Sequence, residues 1–240
     1  MNEETLLKNV LIVGAGGIGT TLVDLLVPAL ERIQLKANIT LMDGDIVEST
    51  NLGHQRFTQE DIGRYKVEAL ASRWDTERLV RKIRGIINQR SPNLIKSERR
   101  TFVDINPIPE NLRTAEQLKG YDLVVICVDR PEPRRLVHAL DVPWIDLRCS
   151  GDGWMILSSD SDATLVEQMT PDHEPMSCQV EGALDAGNLE FGFSVAGTFG
   201  AQWLIQNLRG RRGPIQSMGS LTYGSFEFPR LKKESMEVKA

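Results

Sequence analysis

A glycine-rich turn that follows a short apolar strand is the feature that most limits the fold of this chain. Residues 9–19 read NVLIVGAGGIG. Residues 10–13 predict a buried strand, because an uninterrupted apolar run that ends in glycine is typical of a parallel sheet. The segment after the turn predicts a helix, because its apolar residues recur at helical spacing: Leu22, Leu25, Leu26, Ala29, Leu30 and Ile33. A strand, a tight turn and a helix in this order predict an α/β protein.

The strand and helix patterns alternate through the first part of the chain. A helix is predicted from about residue 66 to residue 88, and further strands are predicted at NITLMDGD (38–45), KSERRTFV (96–103), DLVVICVD (122–129) and PWIDLR (143–148). Strands that alternate with helices pair in parallel through right-handed crossovers. The sequence therefore predicts a doubly wound, mostly parallel Rossmann-like sheet of the α/β class.

The glycine turn and the acid after the second strand predict a nucleotide site. Gly14 can adopt the positive φ of a tight turn, Gly16 lets a phosphate or ribose approach the backbone, and Gly19 allows close packing of helix on strand. The N–H groups at the start of the helix can face an anion. Asp43 lies where a carboxylate can accept hydrogen bonds from ribose hydroxyls. These features suit an NAD-dependent dehydrogenase and an ATP-binding enzyme equally.

The polar residues that follow Asp43 favour ATP. They are Asp45, Asn51, His54, Gln55, Arg56, Arg64 and Lys66. A triphosphate requires cations and amides directed at several oxygens. A nicotinamide site has little use for cations at this point of the chain.

Composition argues against several other classes of protein. The net charge of -5 offers no basic surface for nucleic acid. No apolar run approaches the roughly 20 residues of a membrane span, and the opening residues MNEET do not resemble a signal peptide. We therefore expect a cytoplasmic protein without nucleic-acid or membrane partners. The three cysteines are too widely spaced for a zinc site of two CxxC pairs, so no zinc is expected.

Several motifs, taken in order, resemble the ThiF/MoeB/HesA family of ubiquitin-activating-enzyme-like adenylyltransferases. The resemblance covers residues 8 to about 210 and rests on GAGGIG, DGDIVESTNLGHQ, the lysine of DIGRYK, the acid that ends VVICVD, and GTFGAQWLIQNLRG. It implies an enzyme that uses ATP and Mg²⁺ to adenylate the C-terminal carboxylate of a small β-grasp (ubiquitin-like) carrier protein or of a peptide. It also implies a homodimer, in which the late helix would be a symmetric contact.

The resemblance assigns a role to individual residues. Gly16 and Asp43 would hold the adenosine, Asn51 and Lys66 would contact phosphates, and Asp129 would bind Mg²⁺ as a hard oxygen ligand. The remaining residues expected to bind the nucleotide are Gly14, Gly17, Gly19, Asp45, His54, Gln55 and Arg130. The expected catalytic residues are Lys66, Asp129, Arg56 and Cys178.

The chain also departs from the family pattern. His54 stands where the family has arginine, and a neutral imidazole cannot grip a triphosphate as a guanidinium does. Either Arg56 takes that role or catalysis is weakened. Arg130 replaces the usual asparagine after Asp129, and Arg134 and Arg135 would raise the positive potential at the same edge.

The cysteines and two of the histidines receive different interpretations. Cys178, in PMSCQVEG, falls close to where family members place a cysteine that accepts the activated acyl group or sulfur, and His173 is near it in sequence. Cys127 and Cys149 are predicted to be small core residues, and His138 to be structural.

After residue 150 the regular alternation of strand and helix patterns ends. A polar loop is expected from Ser158 to Ala186, followed by a helix over FSVAGTFGAQWLIQNL. We divide the chain into a nucleotide-binding Rossmann-like half (1–150), a less regular C-terminal β/α portion of the same domain for substrate and dimer contacts (151–228), and a charged tail (229–240). Two alternatives to an active adenylyltransferase remain: a weakened homologue that binds a carrier or partner subunit, and an NAD-dependent oxidoreductase.

Overall fold

A computed structural model describes residues 7–74, 102–172, 178–179 and 182–229. The described strands, numbered β1 to β8 in chain order, are Lys8–Val13, Ala37–Met42, Val103–Ile108, Leu123–Ile126, Trp144–Ser150, Gly153–Ser158, Ser217–Ser220 and Gly224–Phe226. The helices, numbered α1 to α5, are Gly17–Ile33, residues 66–74 as the described part of α2, Pro131–His138, Ala163–Gln168 and Gly192–Leu208.

The strands form one mixed sheet in the order β3-β2-β1-β4-β5-β6-β7-β8. The five strands from β3 to β5 are parallel, and β6, β7 and β8 extend the sheet in antiparallel pairs. The predicted doubly wound, mostly parallel sheet is confirmed. Because the chain runs outward in one direction from β1 to β3 and in the other from β4 to β5, the carboxyl ends of β1 and β4 flank the crevice where such sheets bind ligands.

Alternate residues of the central strands pack on opposite faces of the sheet. Val10 and Ile12 of β1 join a core with α1 and α5, whereas Leu11 and Val13 join the core on the other face. Leu22, Leu26 and Leu30 of α1 are fully buried as predicted, but Leu25 and Ile33 are exposed, because Val23 and Val27 complete the buried stripe instead. None of the described helices is long and apolar enough to cross a membrane.

Close contact between α5 and α1 depends on glycine. A Cβ added to Gly197 would lie 2.9 Å from the Cβ of Thr21, and one added to Gly200 would lie 2.5 Å from side-chain carbons of Leu22 and Leu147. The small residues of the late helix therefore serve packing within this chain. Whether the helix also forms a dimer contact stays a prediction.

Two predicted boundaries differ from the structure, and a third agrees with it. The strand expected at residues 96–103 begins only at Val103 and continues to Ile108, with residues 96–101 outside the described part. The helix expected from residue 66 does begin there, and residues 75–88 lie outside that part. The loop expected after Ser158 contains α4, which begins after Asp162 because the Asp162 carboxylate accepts the N–H groups of Thr164 and Leu165. The charged tail from residue 230 onward is also not described.

Candidate functional site

The glycine turn lies between the ends of β1 and β4 and has little room for other residues at two positions. Gly14 has φ of +107°, and a Cβ there would lie 2.8 Å from the carbonyl oxygen of Cys127. A Cβ at Gly19 would lie 2.1 Å from the carbonyl oxygen of Gly14. Gly16, in contrast, faces open space. The turn is therefore packed from beneath and accessible from outside, as a ligand-binding turn must be.

Asp43 joins the end of β2 to the glycine turn. One carboxylate oxygen accepts the N–H of Ala15 at 2.7 Å, and the other accepts the N–H of Asp45 at 2.9 Å. Desolvation by burial raises the pKa of Asp43, and these two hydrogen bonds oppose that change. Each carboxylate oxygen retains a second lone pair, which is available to ligand hydroxyls.

Lys66, the first residue of α2, is brought to Asp43 by the intervening chain. Its backbone N–H donates to the carbonyl oxygen of Asp45 at 2.9 Å, and its ammonium lies 3.0 Å from the Asp45 carboxylate. The Lys66 side chain is buried, while that of Asp45 is exposed. The structure thus brings together three of the predicted residues, Asp43, Asp45 and Lys66, at the carboxyl end of β2.

Asn111, which the sequence analysis missed, supports the same loop. Its side-chain oxygen accepts the N–H of Gly44 at 3.1 Å, and a Cβ at Gly44 would lie 2.9 Å from the Asn111 side chain. An asparagine shortly after a parallel strand was the available signal, since the carboxyl ends of parallel strands share one edge.

The buried His54 and the half-buried Gln55 form a polar pair next to α5. The Gln55 amide nitrogen lies 3.2 Å from His54 Nε2, and the His54 ring meets the Phe193 ring edge-on at 6.5 Å between centroids. Phe193 also contacts the glycine turn, since a Cβ at Gly17 would lie 3.2 Å from its ring. Burial lowers the pKa of His54, so the imidazole is neutral. Within the described part of the chain, His54 Nδ1 and Gln55 Oε1 are buried without a hydrogen-bond partner and can face a ligand.

Asn51 ends a short 3₁₀ helix, and its side-chain oxygen accepts the N–H of Glu48 at 2.9 Å. That bond fixes the orientation of the side chain and leaves its amide N–H groups as the donors available to a phosphate.

Arg56 lies against α1 rather than at the glycine turn. Its guanidinium is 3.5 Å from the carboxylate of Asp24, which Arg73 also holds at 2.9 and 3.0 Å. Asp24 is two helical turns beyond Gly17, or about 10 Å along the helix axis. A role for Arg56 in binding a triphosphate therefore requires it to leave Asp24.

Asp129 and Arg130 follow β4 at the same edge of the sheet, and both are exposed. Neither side chain has a hydrogen bond or ion pair with another described residue. Over the described ranges, no three His, Cys, Asp or Glu side chains gather to enclose a metal ion. A single carboxylate with free oxygens nevertheless suits Mg²⁺, which keeps several waters and binds through one or two carboxylates together with substrate phosphates.

A buried charge cluster lies beneath Asp129. Asp146 in β5 is fully buried and is bonded by Arg134, by Arg148 at 2.5 and 3.0 Å, and by His138 at 3.0 Å. Burial and then the positive charges of Arg148, Arg134 and Arg135 lower the pKa of His138 to about 3. His138 is therefore neutral and structural, as predicted.

This cluster corrects one expectation about the edge of the sheet. Arg134 is committed to Asp146 and to the carbonyl oxygen of Val128, and Arg135 to Asp172 and the carbonyl oxygen of Thr170. Neither arginine is a free cation at the site. The missed signal was Asp146 itself, because an acid inside the apolar strand WIDLR requires a buried cation.

The cysteines converge under and beside the glycine turn. Cys127 is buried, with its thiol donating towards the carbonyl oxygens of Val13 and Gly14 at 3.2 and 3.3 Å. Hydrogen bonding with Cys149 and, to a smaller extent, with the backbone N–H of Ile18 at the start of α1 lowers the pKa of Cys178. The cysteine predicted to be catalytic thus lies next to the N-terminus of α1. His173 lies outside the described residues.

A cavity of about 530 Å³ lies elsewhere, at the amino end of β5. Its lining includes His138, Trp144, Ser159 and Glu167. Because it opens at the opposite end of the parallel strands from the glycine turn, it is not part of the site.

Known structures share this fold at low sequence identity. E. coli MccB with ATP is 17% identical with a TM-score of 0.60, and the match covers 93% of this chain and 64% of that one. E. coli MccB with MccA-N7isoASN is 16% identical with a TM-score of 0.61, covering 93% and 65%. PaaA is 17% identical with a TM-score of 0.57, again covering 93% and 65%. This chain spans less than two thirds of the length of these proteins.

No curated protein matches the chain at a significant level. The ThiF family is matched over residues 3–239. Because this match extends over nearly the entire sequence, the chain belongs to the ThiF family.

Proposed function

We propose that this protein uses ATP and Mg²⁺ to adenylate the C-terminal carboxylate of a small protein or peptide. The observation that carries the proposal is the buried ammonium of Lys66, held 3.0 Å from Asp45 beside the carboxylate that braces the glycine turn. A cation so placed can meet phosphates that approach the N-terminus of α1. Membership of the ThiF family supports the same chemistry.

The reaction must bring two negatively charged partners together. The incoming carboxylate attacks the α-phosphorus of ATP, and pyrophosphate leaves from the opposite side. Lys66, the N–H of Gly17 and the amide of Asn51 would orient the phosphates and offset their charge. Mg²⁺ held by Asp129 would neutralise further phosphate oxygens. Asp43 would accept hydrogen bonds from the ribose hydroxyls.

The substrate is proposed to be a polypeptide C-terminus. E. coli MccB has been solved with ATP and with the peptide MccA, and its fold is the one seen here. A β-grasp carrier is the second form of such a substrate. A homodimer would complete the assembly, with α5 near the contact.

Cys178 is the proposed acceptor of the activated acyl group. Its sulfur lies at the start of α1, where the adenylate would form, and hydrogen bonding with Cys149 and with the N–H of Ile18 lowers its pKa, which favours the thiolate. Attack of this thiolate on the acyl-adenylate would give a thioester and release AMP.

A second candidate is a weakened homologue that binds ATP and a carrier with little turnover. The observation that favours it is the pairing of Arg56 with Asp24, which leaves the neutral His54 in place of the family arginine. Such a protein would act as a binding partner or as one half of a heterodimer.

Carrier-dependent exchange of labelled pyrophosphate into ATP tests the main proposal. We expect exchange with a β-grasp protein ending in Gly-Gly or with a peptide bearing a free C-terminal carboxylate. The same polypeptide with a C-terminal amide is the matched control and should give none. ATP binding without exchange on any carboxylate would support the second candidate, and absence of ATP binding would exclude both.

A further inference from the structure

Cys149 and Cys178 are far apart in sequence but meet in the structure. Both side chains pack against the same apolar core, which also includes Cys127. The backbone supports the contact, because the N–H of Gly151, two residues beyond Cys149, donates to the carbonyl oxygen of Cys178 at 3.1 Å. Both cysteines are half-buried, whereas Cys127 is fully buried.

The two thiols differ in reactivity. The Cys149 thiol donates to the sulfur of Cys178, and with the N–H of Ile18 it lowers the pKa of Cys178. The same bond raises the pKa of Cys149, which therefore keeps its proton. Cys178 is thus the nucleophile of the pair, and Cys149 is the thiol poised to follow it.

Cys127 does not belong to this pair. Burial raises the pKa of its thiol, and that thiol is directed at the carbonyl oxygens of Val13 and Gly14. Its thiol should therefore stay reduced when the other two cysteines are oxidised.

We propose that Cys149 and Cys178 form a reversible oxidation site at which a hydroperoxide converts the two thiols into an intramolecular disulfide. The Cys178 thiolate attacks the peroxide oxygen, which gives a sulfenic acid and releases the alcohol or water. Cys149 then attacks the sulfenic sulfur, its proton leaves with the hydroxyl group as water, and the S–S bond forms. Two thiols and one hydroperoxide thus yield one disulfide, one alcohol or water, and one water.

The disulfide would have two consequences beside the glycine turn. It would tie Cys178 to β5, and it would remove the ionisable thiol beside the start of α1. It would also block acyl transfer to Cys178, a consequence that rests on the proposed function. The disulfide itself requires only the two thiols and the oxidant.

Thiol counting tests the proposal on the full chain. The protein is treated with hydrogen peroxide, quenched with catalase, unfolded and alkylated, and alkyl groups are counted by intact mass. We expect the count to fall from the three of the reduced chain to one, and to return to three after dithiothreitol. Non-reducing peptide mapping should identify the cross-link as Cys149 to Cys178. Three alkyl groups after peroxide, or a cross-link that includes Cys127, would overturn the proposal.

Variants sharpen the test. Cys149→Ser and Cys178→Ser should each abolish the cross-link, while Cys127→Ser should retain it. A disulfide that persists in Cys149→Ser also counts against the proposal. Pyrophosphate exchange measured on the same samples separates the two ideas, because a disulfide can form in a protein that shows no exchange, and exchange can occur in one that forms no disulfide.

Discussion

The ammonium of Lys66 lies 3.0 Å from a carboxylate oxygen of Asp45, and the two side chains differ greatly in exposure, at 10% and 62%. The lysine is fixed by burial, whereas its acidic partner is free to rotate into solvent. A polyphosphate presents more negative charge than one carboxylate. We therefore expect phosphate oxygens to displace Asp45 from Lys66 when a nucleotide binds.

Replacement of Lys66 tests whether it binds the phosphates of the nucleotide. Lys66→Met should raise the dissociation constant for ATP about tenfold to a hundredfold, because a hydrogen bond to a charged group contributes about 1.5 to 3 kcal/mol. Isothermal titration calorimetry measures the effect. Lys36→Met is the matched control, since Lys36 is exposed at the amino end of β2 and should not alter binding. Equal affinities of the Lys66 variant and the wild type would contradict the assignment.

The glycine turn offers a pair of substitutions with opposite consequences. Gly19→Ala should destabilise the fold by about 1 to 3 kcal/mol or more, because its Cβ would meet the carbonyl oxygen of Gly14. Gly16→Ala should leave the melting temperature nearly unchanged and weaken ATP binding, because its Cβ points into open space. Calorimetric melting with and without ATP separates the two effects. A stable Gly19→Ala variant would show that the turn can shift.

Asp129 offers a test of the metal site. Asp129→Asn should raise the Mg²⁺ concentration needed for half-maximal exchange at least about tenfold, since an amide is a poorer ligand for a hard cation than a carboxylate. Titration of exchange activity against free Mg²⁺ measures the shift. Asp141→Asn, a change of an exposed acid near the other end of the sheet, is the control. An unchanged Mg²⁺ midpoint would remove Asp129 from the site.

Arg56 tests whether a guanidinium can replace the missing family arginine. Its bond to Asp24 is long, and Arg73 stays paired with Asp24 when Arg56 leaves. Release of Arg56 from Asp24 therefore requires little free energy. We expect Arg56→Ala to raise KM for ATP about tenfold. Arg64→Ala should have little effect, because Asp61 and Ser72 hold that guanidinium. If both variants resemble the wild type, Arg56 only supports α1, and the second candidate function gains weight.

Stability should fall in mild acid because of His138. Its pKa is about 3 in the folded protein, compared with the reference value of 6.5. Between these two pH values the imidazole is protonated in the unfolded chain but not in the folded chain. The free energy of unfolding should therefore decrease as the pH falls from about 6.5 towards 3, by at most about 1.4 kcal/mol per pH unit. Melting curves at several pH values measure the slope. His138→Gln, which keeps a donor for Asp146 but does not titrate, should flatten it, and an unchanged slope would assign the acid sensitivity to other groups.

The parallel core of the fold could be predicted because strong local patterns coincide there with tertiary structure. The run at residues 10–13 and the spacing from Leu22 to Leu30 are sufficient to predict β1 and the buried face of α1. The strand at Val103–Ile108 was predicted too early in the chain. Its own sequence contains Asn and Pro, whereas the preceding RRTFV segment has a stronger strand pattern. The strand β8 has three exposed residues and no periodic signal, so only its pairing with β7 defines it.

The position of the candidate site could be predicted from the sequence, but the contacts between its side chains could not. Glycines, Asp43 and Lys66 follow from motif spacing, and the structure places them together. The attachment of Arg56 to Asp24 and of Arg134 to Asp146 depends on which side chains meet across elements, and spacing along the chain does not record that. The contact of Cys149 with Cys178 is of the same kind.

The glycine turn is braced from three directions, by Met42 through the N–H of Gly14, by Asp43 through the N–H of Ala15, and by the thiol of Cys127 from below. The loss of conformational entropy in this segment therefore occurs when the chain folds, not when a ligand arrives. An anion that docks there meets a preorganised receptor, so its association should be fast and accompanied by little ordering of the backbone.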